Sequence, residues 1–452
     1  MSSGLIPYFP QERMETLVMN VQIFWPDFRR SGGSRNRIPE MTRTRGSCRV
    51  LTWGMIAFLG VLSVAVSANA QDKQPGNTTS KPPSQKADSS KKDQKEEKKP
   101  ARPPAYLTPE EAGIDFLLQG EYRGWQRSLG SERSSRSVGL QVVALGDDQF
   151  IAAKFYDGLP GAGWIDRQRF EYSGTKLQDI VRLVGPDYTI EVNGTFGVIY
   201  TREGVRVGEL RKIHRVSPTM GATPPPGAVV LFDGTDQGKL VKPKITPEGL
   251  LAEGTQTAEP YGDMRLHAEF MLPFKPKGRG QDRGNSGFYI QGRYEVQVLD
   301  SFGRVAEFND CGALYRTKTP DINMCLPPLQ WQTYDIDFTM PRFDANGNKI
   351  SDMEITVWHN GVLIHNRAKI PNKTGAGIKE GPEPLPMKLQ DHANPVRYRN
   401  IWLIPKTPDM VASSDWVKLP LSGPPTPLSA SPDPGLLTFL PDGSVSIHAV
   451  RN

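Results

Sequence analysis

The chain has 452 residues with 44 Gly, 40 Pro and 3 Cys, and a formal net charge of +6. The length exceeds one ordinary domain, and the Gly and Pro content indicates many turns and at least one unstructured stretch. Residues 1–70 carry 8 Lys/Arg against 4 Asp/Glu and residues 71–104 carry 9 against 5, so the basic balance is N-terminal and no nucleic-acid partner is expected of the near-neutral remainder.

Arg43, Arg45 and Arg49 precede an almost wholly apolar run, Val50 to Val66, and Ala68-Asn69-Ala70 supplies a small-residue cleavage site. That pattern is a signal peptide cut after Ala70. Met41 stands where such a peptide would begin, and residues 1–40 show no periodicity. A secreted, periplasmic or cell-surface protein is expected, touching the membrane only through this segment if it stays uncleaved. Residues 71–105 are rich in Lys, Pro and Ser, carry almost no large apolar residue, and read as a disordered linker.

A small β-rich domain is expected over 106–217. Thr108 reads as a helix N-cap with Pro109 at the first position and Glu110 and Glu111 in the first turn, the helix ending by Gly120. Alternating runs such as VGLQVVAL, QFIAAKFY and YTIEVNG follow, with Asp147-Asp148 as a hairpin turn and Asp157, Trp164 and Asp166 in a loop. Thr223-Pro224-Pro225-Pro226-Gly227 is a stiff linker within 218–227. Residues 407–452 form a Pro/Ser-rich tail with one late strand-like run, GSVSIHAV.

Over 228–406 nearly every segment has period two. Met264, Leu266, Ala268 and Phe270 alternate with Arg265, His267 and Glu269; Tyr334, Ile336 and Phe338 alternate with Thr333, Asp335 and Asp337. Asn360-Gly361 joins two strands as a type I′ dipeptide. Many short strands with almost no helical pattern predict an all-β fold, a β-sandwich of concanavalin-like jelly-roll type preceded by the smaller β-rich domain. In NSGFYIQGRYEVQVLD, Phe288, Ile290, Tyr294, Val296 and Val298 take the core side. Asn285, Tyr289, Gln291, Arg293, Glu295 and Gln297 take the other. Amides, an acid, a guanidinium and a phenol on one face are the groups that bind sugar hydroxyls.

The motifs VVLFDG, GNSGFYIQGRYEVQVLDS, CGALYRTKTPDINMCLPPLQWQTYDIDF, VWHNGVLIHN and LQDHANPVRYRNIWLIP resemble, in order and spacing, the 3-keto-disaccharide hydrolase family of the concanavalin-like lectin/glucanase fold. The stretch GLQVVALGDDQFIAAKFYDGLPGAGW resembles a domain found ahead of sugar-active modules in secreted planctomycete proteins. The family resemblance implies an oligosaccharide or glycoside substrate and puts Glu295, Gln297, Asp300, Gln390, Asp391, His392 and Arg397 in or near the site. Ala393 stands where the motif suggests Gly. A 3-keto sugar has an acidic C2 proton, so the chemistry needs a base, donors for the enolate oxygen and an acid for the leaving oxygen. Glu295 is the expected base, His392 the acid or enolate donor, and Arg397 or Arg399 the positive charge. Direct hydrolysis by Glu295 with Asp300 is the competing mechanism. A non-catalytic, lectin-like binding module is the competing function.

Cys311 and Cys325 are a disulfide candidate if the protein is exported. Neither a cofactor nor a metal is expected: Asp344 to Asn348 suits a tight hairpin turn better than a calcium loop. His267 and Glu269 either join the polar face or stand exposed, and His359 and His365 are expected on the hairpin surface.

Overall fold

The computed structural model describes residues 102–128, 134–165 and 168–406, with three two-residue strands in the tail. The expected signal peptide, most of the 71–105 linker, Asp166 and most of the tail lie outside the described residues. No described helix is long and apolar enough to cross a membrane.

The first helix, α1, spans Pro109–Leu118, and Thr108 Oγ1 caps it by accepting the Glu111 amide at 3.3 Å. Eight strands follow: β1 Gly120–Arg127, β2 Ser135–Gly146, β3 Gln149–Tyr156, β4 Arg169–Leu177, β5 Ile180–Val184, β6 Tyr188–Val192, β7 Phe196–Thr201 and β8 Arg206–Arg215. Each pairs antiparallel with the next, and β8 returns to pair with β1 from Glu121↔Ile213 to Gln126↔Gly208. The small domain is therefore a closed up-and-down barrel, which removes its free edges. Tight turns set the meander: Asp147 and Asp148 both hold positive φ, at 51° and 59°. Tyr122, Leu140, Val142, Phe150, Tyr172, Leu183 and Ile190 fill the barrel. Among them lies Lys154, 1% exposed, donating to Gln126 Oε1 at 2.8 Å beneath the rings of Tyr156, Phe170, Tyr172 and Tyr188. At the seam, Arg215 forms a buried ion pair with Glu121.

The sandwich comprises β9 Val229–Phe232, β10 Leu251–Ala252, β11 Thr255–Gln256, β12 Met264–Met271, β13 Ser286–Ile290, β14 Tyr294–Val298, β15 Trp331–Thr339, β16 Arg342–Phe343, β17 Lys349–Ser351, β18 Met353–His359, β19 Val362–Ile370, β20 Lys388–Leu389 and β21 Arg397–Pro405. The larger sheet runs β10-β21-β12-β15-β18-β19 with β9 beside β21, the smaller runs β11-β20-β13-β14, and β16 and β17 form a separate hairpin. Phe270, Tyr334, Ile336 and Phe338 from the larger sheet meet Phe288, Ile290, Tyr294 and Val296 from the smaller in one core. This is the period-two pattern realised as two apolar faces packed together.

The two β units touch extensively. Tyr106 and Phe274 exchange both backbone hydrogen bonds, at 2.9 and 3.0 Å, and Phe274 packs into the barrel core. Val143, on the outside of β2, packs into the sandwich core. Arg283, just before β13, donates to the carbonyl of Ala144 in β2 at 3.3 Å.

Several expectations are corrected. His359 and His365 are fully buried rather than on the hairpin surface, with Nε2 of each bonded to Gln332 Oε1 at 3.0 Å and Gly312 O at 2.8 Å. Burial pushes their imidazoles down, to about 3 and about 4. Cys311 and Cys325 are free buried thiols and form no bridge; the Cys311 thiol lies 3.2 Å from the Tyr334 hydroxyl.

His267 and Glu269 are neither exposed nor part of the candidate face. They lie on the outer side of the larger sheet, where residues 217–222 cover them. His267 Nδ1 meets Asp335 Oδ1 at 2.8 Å, Thr219 donates to Asp335 Oδ2 at 2.7 Å, and the Gly221 amide donates to Glu269 Oε1 at 2.6 Å. Ala222 O accepts from Asn400 and from the Trp402 indole. The connector between barrel and sandwich is thus strapped to the sheet through a buried charge cluster.

Candidate active site

The polar face lies on the side of the smaller sheet turned away from the core. Period two in β13 and β14 puts Gly287 and Tyr289 opposite Gln297 and Glu295 in register. Gln291 and Gly292 make the turn with φ of 54° and 62°. β20 and β11 extend the same face: Tyr289 pairs with Lys388, and Lys388 with Gln256. This face, though opposite the core, does not point to solvent. Asn285, Tyr289, Gln291, Arg293, Glu295 and Gln297 are all buried, because loops fold over them. The Glu295 amide donates to Thr374 Oγ1 at 2.8 Å, the Ile378 amide donates to Gly292 O at 3.0 Å, and the Tyr315 amide donates to Glu295 O at 3.1 Å.

A relay of amides orients the polar ends. Gln281 Nε2 donates to the Asn309 carbonyl at 2.9 Å, which turns Gln281 Oε1 into an acceptor. Asn285 Nδ2 and Gln297 Nε2 both donate to that oxygen, at 3.1 and 2.9 Å. Gln390 Nε2 donates to the Tyr289 hydroxyl at 3.3 Å, and Tyr289 stands opposite Glu295 in register, its phenol interacting with that carboxyl. Four buried oxygens are then left with no partner: Asn285 Oδ1, Gln297 Oε1, Gln390 Oε1 and Glu295 Oε2. Buried polar atoms without partners are rare in proteins, and each costs about 1–3 kcal/mol. A face that presents acceptors calls for a ligand rich in donors, as a polyhydroxylated sugar is.

Burial pushes the Glu295 carboxyl up to about 7, a shift that the hydrogen bond from Tyr289 only partly opposes. A carboxylate held near neutrality is suited to taking a proton and returning it. Burial and the bond to Glu295 raise the Tyr289 phenol above its ordinary range. A cavity of about 490 Å³ is lined by Gln256, Tyr289, Gln291, Lys388 and Gln390 on the polar side, with Ile378, Leu385 and Pro386 among its apolar residues; Glu295, opposite Tyr289 in register, is not in its wall. Its size fits a small saccharide.

Of the residues expected from sequence, Asn285, Tyr289, Gln291, Glu295, Gln297 and Gln390 come together here. Others have different partners. Asp300 is fully buried and paired with Arg283, Nε to Oδ2 at 2.7 Å, while its Oδ1 accepts from the Phe302 amide; it is an anchor and is not joined to Glu295. Arg293 clamps the covering loop by donating to Lys379 O at 3.2 Å and Glu383 O at 2.9 Å. Arg399 belongs to the strap cluster, bonded to Glu269 Oε2 at 2.7 Å and stacked 4.0 Å over Trp331. Arg397 lies 3.6 Å from Glu253. Asp391 and His392 follow Gln390 on an exposed loop, where Asp391 Oδ1 accepts the Ala393 amide at 2.9 Å and Ala393 takes a φ of 53°, the conformation that favours Gly.

Sequence reasoning missed Gly287, Gln281, Gln256 and Lys388. Gly287 and Gln256 had a signal, since both fall on the period-two face; Gln281 and Lys388 are fixed only by tertiary pairing.

The fold is that of a β-sandwich protein, and the family match supports a glycoside-hydrolase-like function. Residues 227–404 match the 3-keto-alpha-glucoside-1,2-lyase-like domain, and the chain belongs to that family through its sandwich. Two solved structures from Parabacteroides distasonis, each described as a "putative glycosyl hydrolase", are similar to it. One is 31% identical, covering 40% of this chain and 85% of its own with a TM-score of 0.37. The other is 17% identical, covering 40% and 94% with a TM-score of 0.30. No curated protein matches the chain.

Proposed function

We propose that the sandwich cleaves 3-keto-glycosides by elimination. Glu295 removes the C2 proton, the electrons of the C–H bond pass into the enolate next to the C3 carbonyl, and the C1–O bond then breaks. The leaving oxygen takes that proton back from Glu295 by way of Tyr289, and water then adds across the resulting C1–C2 double bond, hydroxyl to C1 and proton to C2, to give the free 3-keto sugar. The observation that carries this reading is Glu295, a buried carboxylate raised to about 7 with one unpartnered oxygen, set opposite Tyr289, which lines the cavity together with Gln390. Tyr289, the cross-strand neighbour of Glu295, is the proton relay. Lys388, lining the same cavity, supplies positive charge to the enolate oxygen. Asp300, occupied by Arg283, leaves direct two-carboxylate hydrolysis without its second carboxylate. A purely binding, lectin-like role has no use for a carboxyl tuned to neutrality. Export through the segment ending at Ala70 fits a substrate met outside the cytoplasm.

The test is turnover of a 3-keto disaccharide in deuterated water. Glucose release with deuterium at C2 of the keto product is expected, and Glu295→Gln should abolish both. Release without C2 deuterium would overturn the elimination, and full activity in Glu295→Gln would overturn the role of Glu295.

A further inference from the structure

The cavity at Tyr289 has two unlike walls. One is the sheet: Gln256, Lys388 and Tyr289 stand side by side in register across β11, β20 and β13, and the same row ends on Glu295 in β14. The other is the covering loop and the approach to β20, which contribute Ala376, Ile378, Leu385 and Pro386. The first three members of the row line the cavity, and Glu295 lies beyond it. A ligand that brings its reacting carbon to Glu295 therefore leaves its remainder in the cavity.

The apolar wall is held in place. The Gly377 amide donates to Thr374 O and the Ile378 amide to Gly292 O, both at 3.0 Å. A side chain at Gly377 would run into the carbonyl of Arg293, so the loop lies flat on the β13–β14 turn. Further along, the Tyr294 hydroxyl donates to Glu380 Oε1 and Lys349 Nζ bonds Glu380 Oε2 at 2.8 Å. Ile378 is nonetheless 54% exposed. A pinned loop that keeps a branched apolar side chain half in water against a cavity gains from an apolar ligand group that covers it. The hydroxyls of a second sugar would instead lose water against this wall with no partner in it.

Resting on the reading of Glu295 as the base, we infer that the glycosides this protein prefers carry an apolar leaving group, alkyl or aryl. That group lies against Ile378, Leu385 and Pro386 while the keto sugar lies on the polar row.

The experiment compares two 3-keto glucosides of one anomer that differ only in an alkyl leaving group, methyl or hexyl, so their leaving oxygens are chemically alike. With the native full chain, kcat/KM is expected to be at least tenfold higher for the hexyl compound, since burying the added methylenes favours binding. Ile378→Ser, at a half-exposed position, should cut that ratio at least threefold. Calorimetric titration of Glu295→Gln with the same pair reads the cavity without turnover, and the hexyl compound should again bind at least tenfold tighter. Turnover with equal kcat/KM and equal affinity for the two, or a ratio indifferent to Ile378→Ser, would overturn the apolar subsite and leave the chemistry at Glu295 standing. Tighter hexyl binding without cleavage of either compound would keep the subsite and overturn the elimination.

Discussion

Glu295 carries its Oε1 over the bare Cα of Gly287, diagonally across the β13–β14 pair, in space that a Cβ would occupy. The absence of a side chain at 287 is what lets the carboxylate lie down on the sheet. Gly287→Ala is therefore expected to displace Glu295 and lower kcat about a hundredfold, as small misplacements of a reacting group do. The overpacking should cost about 1–3 kcal/mol. Steady-state kinetics alongside urea unfolding would check both, and an unaltered kcat would remove Glu295 from the chemistry.

Glu295 should also show a conflict between activity and stability. Its folded-state pKa of about 7 lies above the ordinary 4.5, so folding favours the protonated form. The stability linked to that proton is present below about 4.5 and is lost as pH rises through 7, amounting to about 3 kcal/mol. Activity should run the other way, falling about tenfold per pH unit below 7 as the base is protonated. Glu295→Gln, inactive, should melt higher than the native protein at pH 8 and similarly at pH 4. A lower Tm at pH 8 would contradict the account.

The strap has an opposite signature. Burial alone would lower His267, but bonds to Asp335 and Glu269 outweigh it and hold the imidazole at about 9; Glu269 is depressed to about 2, burial being outweighed by His267, Asn400 and Arg399. His267 is raised, so its contribution is complete below about 6.5 and is lost as pH rises through 9. The Glu269 contribution is lost only as pH falls from about 4.5 through 2. His267→Ala leaves two buried carboxylates short of their cation, with an expected cost of about 3–5 kcal/mol. Hydrogen exchange at the Gly221 amide should accelerate between pH 6.5 and 9 beyond the intrinsic pH effect, and exchange that follows the intrinsic rate alone would exclude an imidazolium there.

Lys154, inside the barrel, behaves differently again. Burial lowers its pKa to about 8 from 10.5, so the charged amine is a burden that is complete below pH 8 and relieved as pH rises towards 10.5. Lys154→Met should raise barrel stability at neutral pH and abolish that rise. Thermal unfolding from pH 7 to 10 with both proteins would show it; parallel curves would mean that the ammonium is not penalised.

The apolar half of the sandwich was legible because period two is a local property: Phe288, Ile290, Tyr294 and Val296 all face the core as expected. The same alternation separated Glu295 and Tyr289 from them. What sequence could not supply was the cover. Whether Arg293 reaches a sugar or the carbonyls of residues 379 and 383 depends on a loop almost ninety residues away. Asp300 and Arg399 read as site groups because their type suited the chemistry, but each is held by a partner, Arg283 or Glu269, that no spacing rule connects to it. The barrel was visible as strands, whereas its closure rests on β1 meeting β8, a pairing of distant segments.

Arg283 gives the molecule a consequence of its own. Its guanidinium neutralises Asp300 at the end of β14 and at the same time reaches the Ala144 carbonyl in the barrel, two residues from Asn285. The segment that sets out the amide relay is therefore braced from the neighbouring module. A sandwich excised at Gly227 would keep its sheets but lose that outside footing, so the sequence boundary is a poor place to cut. Selection on the Glu295 face would reach into the barrel wall, and the two modules should tolerate change as one inherited unit.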